Sequence, residues 1–167
     1  MSARILVAYG TRNGSTSGIA EAISKELESM GYVTTVAEMK TVSSLTGYDA
    51  IVIGGPLYMG RLISDVSSFV KKFSNTLVSM PIAAFAVGMA PVSEDSSKIG
   101  AAHDALLHSL SPLSPKVSTI FAGSLDPSKL SFIARKMTEF VKSPTGDHRD
   151  WDTIATFARS LPGHLKV

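Results

Sequence analysis

Apolar residues recur along the chain in two alternating rhythms. Ile5-Leu6-Val7-Ala8-Tyr9 is a continuous apolar run, which is how a strand buried on both faces reads. After a polar loop, Ile19, Ala20, Ile23, Leu27 and Met30 return at helical spacing, and Gly31 stops the helix. Tyr32–Ala37 is β-branched and reads as a second strand, and Ala50–Ile53 as a third that ends at Gly54-Gly55-Pro56. Val66, Phe69, Val70 and Phe73 mark the next helix, Ile82–Val87 a fourth strand, and Ile99, Ala102, Leu106 and Leu110 a third helix. Val117–Ala122 is a fifth strand. Leu130, Ile133, Ala134, Met137, Phe140 and Val141 predict an extra helix before the last one, which Asp150 can cap and whose apolar positions are Trp151, Ile154, Ala155, Ala158 and Leu161.

Apolar strands separated by helices require a parallel sheet covered on both faces. The expected fold is therefore α/β, a three-layer doubly wound sandwich with a five-stranded parallel sheet. By analogy with such folds its order is 2-1-3-4-5. With no repeat, linker or low-complexity tract, residues 1–167 are expected to form one domain.

Composition narrows the chemistry. The chain has no cysteine, which excludes disulfides, thiolate metal sites and a cysteine nucleophile. A net charge of +2 gives no reason to expect a nucleic-acid partner. The N-terminal apolar run lacks the length and flanks of a secretion signal, and the longest apolar stretch, Pro81–Val92, is too short to cross a bilayer. A cytoplasmic location is expected. His103, His108, His148 and His164 show no metal-site spacing and read as surface residues.

The most informative segment follows the first strand. In a parallel α/β unit, Thr11, Arg12, Asn13, Gly14, Ser15 and Thr16 sit at the carboxyl edge of the sheet and open onto a helix N-terminus. Free N–H groups and the helix dipole there favour an anion, and several hydroxyls suit one phosphate. No lysine follows Gly14 as a triphosphate loop needs, and the glycine spacing of a dinucleotide loop is missing. On composition alone, an ordinary capped polar connection fits equally well.

Two further loops share the crevice. Pro56, Leu57, Tyr58, Met59 and Gly60 follow the third strand, and Tyr58 could stack on a flat ring or pack locally. Val87, Gly88, Met89 and Ala90 follow the fourth. Met89 could leave a ring face open to a flat substrate or could fill the core. Arg12, Arg61 and Arg149 could bind carboxylates or serve as local surface charges. Trp151 reads as a packing anchor.

Residues Val7–Ile23 resemble the FMN-phosphate signature of flavodoxins, with Tyr9, Thr11, Gly14, Thr16, Ala20 and Ile23 on its positions and a small Ala8 as a departure. The resemblance implies FMN as cofactor, held by the three loops. Met89 stands where many flavodoxins place a second aromatic, and Lys98 offsets the nearby Glu94 and Asp95. The chain also resembles, over nearly its whole length, the menaquinone-dependent protoporphyrinogen dehydrogenase family. The likeness rests on Thr11–Gly14, Tyr58–Arg61, Phe69–Lys72, Gly146–Trp151 and the extra helix. It implies an FMN oxidoreductase of heme biosynthesis that takes electrons from a porphyrinogen and passes them to a quinone. The alternative is an electron carrier that docks on redox protein partners. No acid–base residue stands out.

The extra helix, Lys129–Lys142, sets Lys129, Arg135, Lys136 and Lys142 against a lone Glu139. Two readings stay open: peripheral contact with the inner face of an anionic membrane, or an apolar stripe packed on the sheet with solvated charges.

Overall fold

The structure is a computed structural model that describes residues 2–12, 14–58, 60–93, 95–125 and 146–167. The five expected strands are present: β1 (Arg4–Tyr9), β2 (Val33–Glu38), β3 (Ala50–Tyr58), then β5 (Ile82–Gly88) and β6 (Val117–Ala122) after a short β4 (Arg61–Leu62). They pair in parallel in the order β2-β1-β3-β5-β6, the topology expected from the sequence, while β4 folds back antiparallel on β3.

Alternate side chains of each strand feed two cores. On one face Leu6, Ala8, Ile51, Ile53 and Ala84 meet Val66 and Phe69 of α2 (Ser64–Lys72) and Leu106 and Leu110 of α4 (Ser96–Leu110). On the other, Ile5, Val7, Val52 and Phe85 meet Ile19, Ile23 and Leu27 of α1 (Ser15–Ser29) and Ile154, Phe157 and Leu161 of α5 (Trp151–Leu165). Phe85, Phe121 and Phe157 form an aromatic chain through this second core, with centroid separations of 5.7 and 5.3 Å. Asp95 caps α4 by accepting from the Ser97 N–H at 2.9 Å, and Asp150 caps α5 by accepting from Thr153 at 3.1 Å.

Two expectations need correction. The third strand does not stop at Gly54-Gly55-Pro56 but runs through them to Tyr58. The two glycines serve close packing there: a Cβ on Gly54 would lie 2.0 Å from the Phe85 ring, and one on Gly55 2.9 Å from Val66. The helix marked by Val66, Phe69 and Val70 is present as α2, with Phe73 at its C-cap rather than within it, and a single turn, α3 (Ser74–Leu77), follows. Three apolar positions assigned to buried stripes lie largely open: Met30, Ile99 and Trp151 are 44, 37 and 46% exposed. The expected helix at Lys129–Lys142 lies outside the described residues. Flanking that stretch, β7 (Ser124–Leu125) and β8 (Gly146–Asp147) form a small antiparallel ladder.

Candidate functional site

Strands β1, β3 and β5 end together at one edge of the sheet, and the loops singled out in the sequence leave from these ends. β1 passes through Gly10, whose N–H donates to the Gly54 carbonyl at 2.9 Å, and then turns into the loop before α1. Gly14 stands at the helix N-cap with φ of 88°, a left-handed conformation that strongly favours glycine. Its N–H donates to Thr11 Oγ1 at 3.0 Å, and Ser17 Oγ donates to its carbonyl at 2.9 Å. No side chain caps α1, so its first-turn N–H groups keep their capacity to bind an anion.

Thr16 is the telling residue. It is 1% exposed, and its Oγ1 is the only buried side-chain polar atom among the described residues that lacks a hydrogen-bond partner. Buried hydroxyls are rarely left that way, because an unmet donor or acceptor costs about 1–3 kcal/mol. An oxygen-rich group seated at the mouth of α1 would satisfy it. Thr11, Gly14, Ser15 and Thr16 lie together at the N-terminus of α1, and the chemistry of this donor set fits a phosphate monoester. Asn13 lies outside the described residues.

Arg12 reaches across the crevice, its guanidinium carbon 4.9 Å from the centre of the Tyr58 ring. This contact ties the anion loop to the β3 loop. Because side chains alternate along β3, Tyr58 faces the α1 layer and Leu57 the α4 layer. Leu57, Gly60, Gly88, Met89 and Ala90, all expected to contact a ring, line one recess of about 280 Å³. Pro56 and Val87 pair with each other just beneath these loops. Met89 is half-buried at the recess wall rather than packed in the core. Met59 lies outside the described residues.

Tyr9, half-buried at the end of β1, has its phenol pKa raised, first by burial and then by the nearby carboxylates of Glu38 and Glu21. It is a neutral hydroxyl at physiological pH.

Arg149 does not face the crevice as a free carboxylate receptor. It forks onto Asp147 (Nε–Oδ1 3.0 Å, Nη2–Oδ2 2.7 Å), lies over the Trp151 ring at 4.9 Å, and turns Nη1 toward the Ser15 carbonyl at 3.5 Å. The pair lowers the Asp147 carboxyl to about 2, chiefly through the side-chain hydrogen bond from Arg149. Trp151 is therefore a half-exposed platform for Arg149 rather than a core anchor. The cluster clips the β7–β8 ladder to the first turn of α1. His103 shares a 2.8 Å hydrogen bond with Ser118, and no group of acids and histidines able to hold a metal occurs among the described residues.

Sequence reasoning missed the α4 side of the recess: Lys98, Ala101 and Ala102, with Ile120 behind them. The spacing of Lys98, Ala101 and Ala102 places them on one helix face. Nothing in that spacing, however, says that the face turns toward the β3 and β5 loops.

A family profile described as Flavodoxin domain matches residues 6–152, a span that runs from β1 into α5. The chain belongs to the flavodoxin-domain family. Its fold relatives agree: a Streptococcus pneumoniae TIGR4 flavodoxin covers 99% of this chain and all of its own, with a TM-score of 0.60 at 15% identity. A Fusobacterium nucleatum flavodoxin solved bound to flavin mononucleotide covers 68% of each chain, with a TM-score of 0.51 at 16% identity. In sequence, the protoporphyrinogen IX dehydrogenase [quinone] of Escherichia coli K12 is 27% identical over 97% of this chain and 96% of its own length. Membership of the flavodoxin-domain family makes this chain a flavin-binding redox protein by class. No helix among the described residues is long and apolar enough to cross a membrane.

Proposed function

We propose that this flavodoxin-domain protein is an FMN-dependent oxidoreductase that takes electrons from a porphyrinogen-type substrate and delivers them to a quinone. The observation that carries the reading is the likeness to the protoporphyrinogen dehydrogenase, which extends over 97% of one chain and 96% of the other and so is not confined to the shared cofactor motif.

FMN would sit with its phosphate against the α1 first turn, where Thr11, Ser15 and Thr16 offer hydroxyls and Gly14 lets the backbone close around it. Tyr58, steadied by Arg12, would support the ring, with Met89 at its far side. Bound there, the flavin supplies the redox chemistry, while this chain supplies binding, orientation and charge. Arg12 and Arg61 both lie beside Tyr58 at the β3 loop, and cations there favour a reduced flavin that carries negative charge. That charge pattern supports paired-electron chemistry over the alternative of an electron carrier. A cytoplasmic site of action, with quinone collected at the inner membrane face, is part of the proposal.

The test is anaerobic. The FMN-loaded protein is mixed with protoporphyrinogen IX, and flavin bleaching is followed by recovery on adding menadione. Bleaching is expected on mixing, and porphyrin fluorescence only once menadione permits turnover, because full oxidation of the porphyrinogen removes six electrons and each flavin takes two. Absence of bleaching by the porphyrinogen, with reduction by dithionite intact, would remove the dehydrogenase reading and leave the carrier.

A further inference from the structure

We propose that Arg149 is a positioning residue for the phosphate cradle: gripped by Asp147 and Trp151, it aims the Ser15–Thr16 peptide so that the Thr16 N–H meets the cofactor phosphate. This rests on the reading of the first turn of α1 as a phosphate site and names what aims that turn.

The backbone is pinned on either side of Arg149. The His148 N–H donates to the carbonyl of Gly123, just past β6, at 3.0 Å, and Asp150 caps α5. The side chain is fixed as well. Asp147 accepts from the Arg149 N–H at 3.1 Å, from Nε at 3.0 Å and from Nη2 at 2.7 Å, and the Trp151 ring lies 4.9 Å from the guanidinium carbon. The Asp147 side chain is 51% exposed and that of Arg149 20%. The pair thus turns its anionic end to solvent and its cationic end to α1.

The fork leaves Nη1 to reach the Ser15 carbonyl, at 3.5 Å. That oxygen and the Thr16 N–H are opposite ends of one planar peptide unit, so holding the oxygen sets the direction of the N–H. In the first turn of a helix this N–H has no partner within the helix. Thr16 also carries the orphaned Oγ1, so two donors of one residue await the same anion. A cation on the carbonyl polarises the peptide and makes its N–H a stronger donor. Gly18 shows that α1 makes room for this contact. Glycine is a poor residue inside a helix, yet a Cβ here would lie 2.9 Å from Arg149 Nη1 and 3.6 Å from Trp151 Cη2. Packing alone gives no reason to set a cation there, because the N-terminal end of a helix repels positive charge until an anion joins it.

Three variants test the assignment. For each, FMN and riboflavin affinities are measured by flavin fluorescence quenching, and the stability of the cofactor-free protein by urea unfolding. Arg149→Gln is expected to weaken FMN binding about threefold to tenfold and to leave riboflavin within about twofold, since only the phosphate is affected. Gly18→Ala pushes the guanidinium off the first turn and should weaken FMN to a similar degree, although alanine favours the helix and the cofactor-free protein should be no less stable. Asp147→Asn separates position from charge. If Arg149 acted through its charge alone, removing the neighbouring carboxylate would tighten FMN, whereas loss of the charged fork should weaken it about twofold or more. An unchanged preference for FMN over riboflavin in Arg149→Gln or in Gly18→Ala overturns the proposal. So does FMN bound as well or better by Asp147→Asn. If the unaltered protein binds FMN and riboflavin alike, the phosphate cradle on which the proposal stands is overturned instead.

Discussion

Replacing Thr16 by Val separates folding from cofactor binding with opposite signs. The side chain is 1% exposed and its Oγ1 has no partner, so in the cofactor-free protein the hydroxyl is a buried group with nothing to bond. Valine keeps the branched shape, which α1 already tolerates at this position, and replaces the hydroxyl by a methyl. Relieving an unmet buried hydroxyl is worth about 1–3 kcal/mol, so the apo variant should be more stable by that order. With FMN present, the same hydroxyl is expected to bond the phosphate. A hydrogen bond to a charged group contributes about 1.5–3 kcal/mol, which at tenfold per 1.4 kcal/mol means about 10- to 150-fold weaker FMN binding. Riboflavin lacks the phosphate and should bind both forms alike. The assay is urea unfolding of the apo protein, paired with fluorescence titrations of FMN and riboflavin. Equal FMN affinities in Thr16→Val and the unaltered protein, within about twofold, would refute the phosphate cradle at α1. So would an equal loss for both ligands, because it would place the effect outside the phosphate.

Further perturbations probe the surrounding frame. Gly54→Ala sets a methyl 2.0 Å from the Phe85 ring at the centre of the sheet, and a loss of about 3 kcal/mol or more is expected as a fall in the urea midpoint. Arg12→Ala removes the 4.9 Å contact with Tyr58 and should weaken FMN and riboflavin equally, by about 0.5–1 kcal/mol, since the loss concerns the ring loop and not the phosphate. Asp147→Asn uncouples the clip at the first turn of α1. Trp151, the single tryptophan, lies under Arg149, so its fluorescence should shift at neutral pH without global unfolding by circular dichroism. The Asp147 carboxyl is depressed to about 2 from its ordinary 3.8, so its ion pair stabilises fully above about pH 4 and is lost as the pH falls toward 2. Acid unfolding of the asparagine variant should therefore lack the part of the pH dependence that falls in this window.

Much of this protein is written locally. The order of strands and helices followed from apolar runs and helical spacing, and the doubly wound topology from their alternation. Both depend on periodicities of the backbone that do not need the rest of the chain. The hydroxyl-rich loop from Thr11 to Thr16 was legible for the same reason: a short polar connection between a buried strand and a helix can only lie at the sheet edge, beside free N–H groups. What could not be read depended on residues far apart in the chain. Gly54 and Gly55 resemble a strand stop until Phe85 and Val66, brought over them by β5 and α2, demand their small size. Arg149 reads equally as a carboxylate receptor or a local charge until Asp147, Trp151 and Ser15 close on it. Lys98, Ala101 and Ala102 are an unremarkable helix face until the sheet sets α4 against the β3 and β5 loops. The orphaned hydroxyl of Thr16 is likewise a fact of packing: a threonine in sequence becomes a ligand in waiting only when the fold buries it and leaves it unpaired.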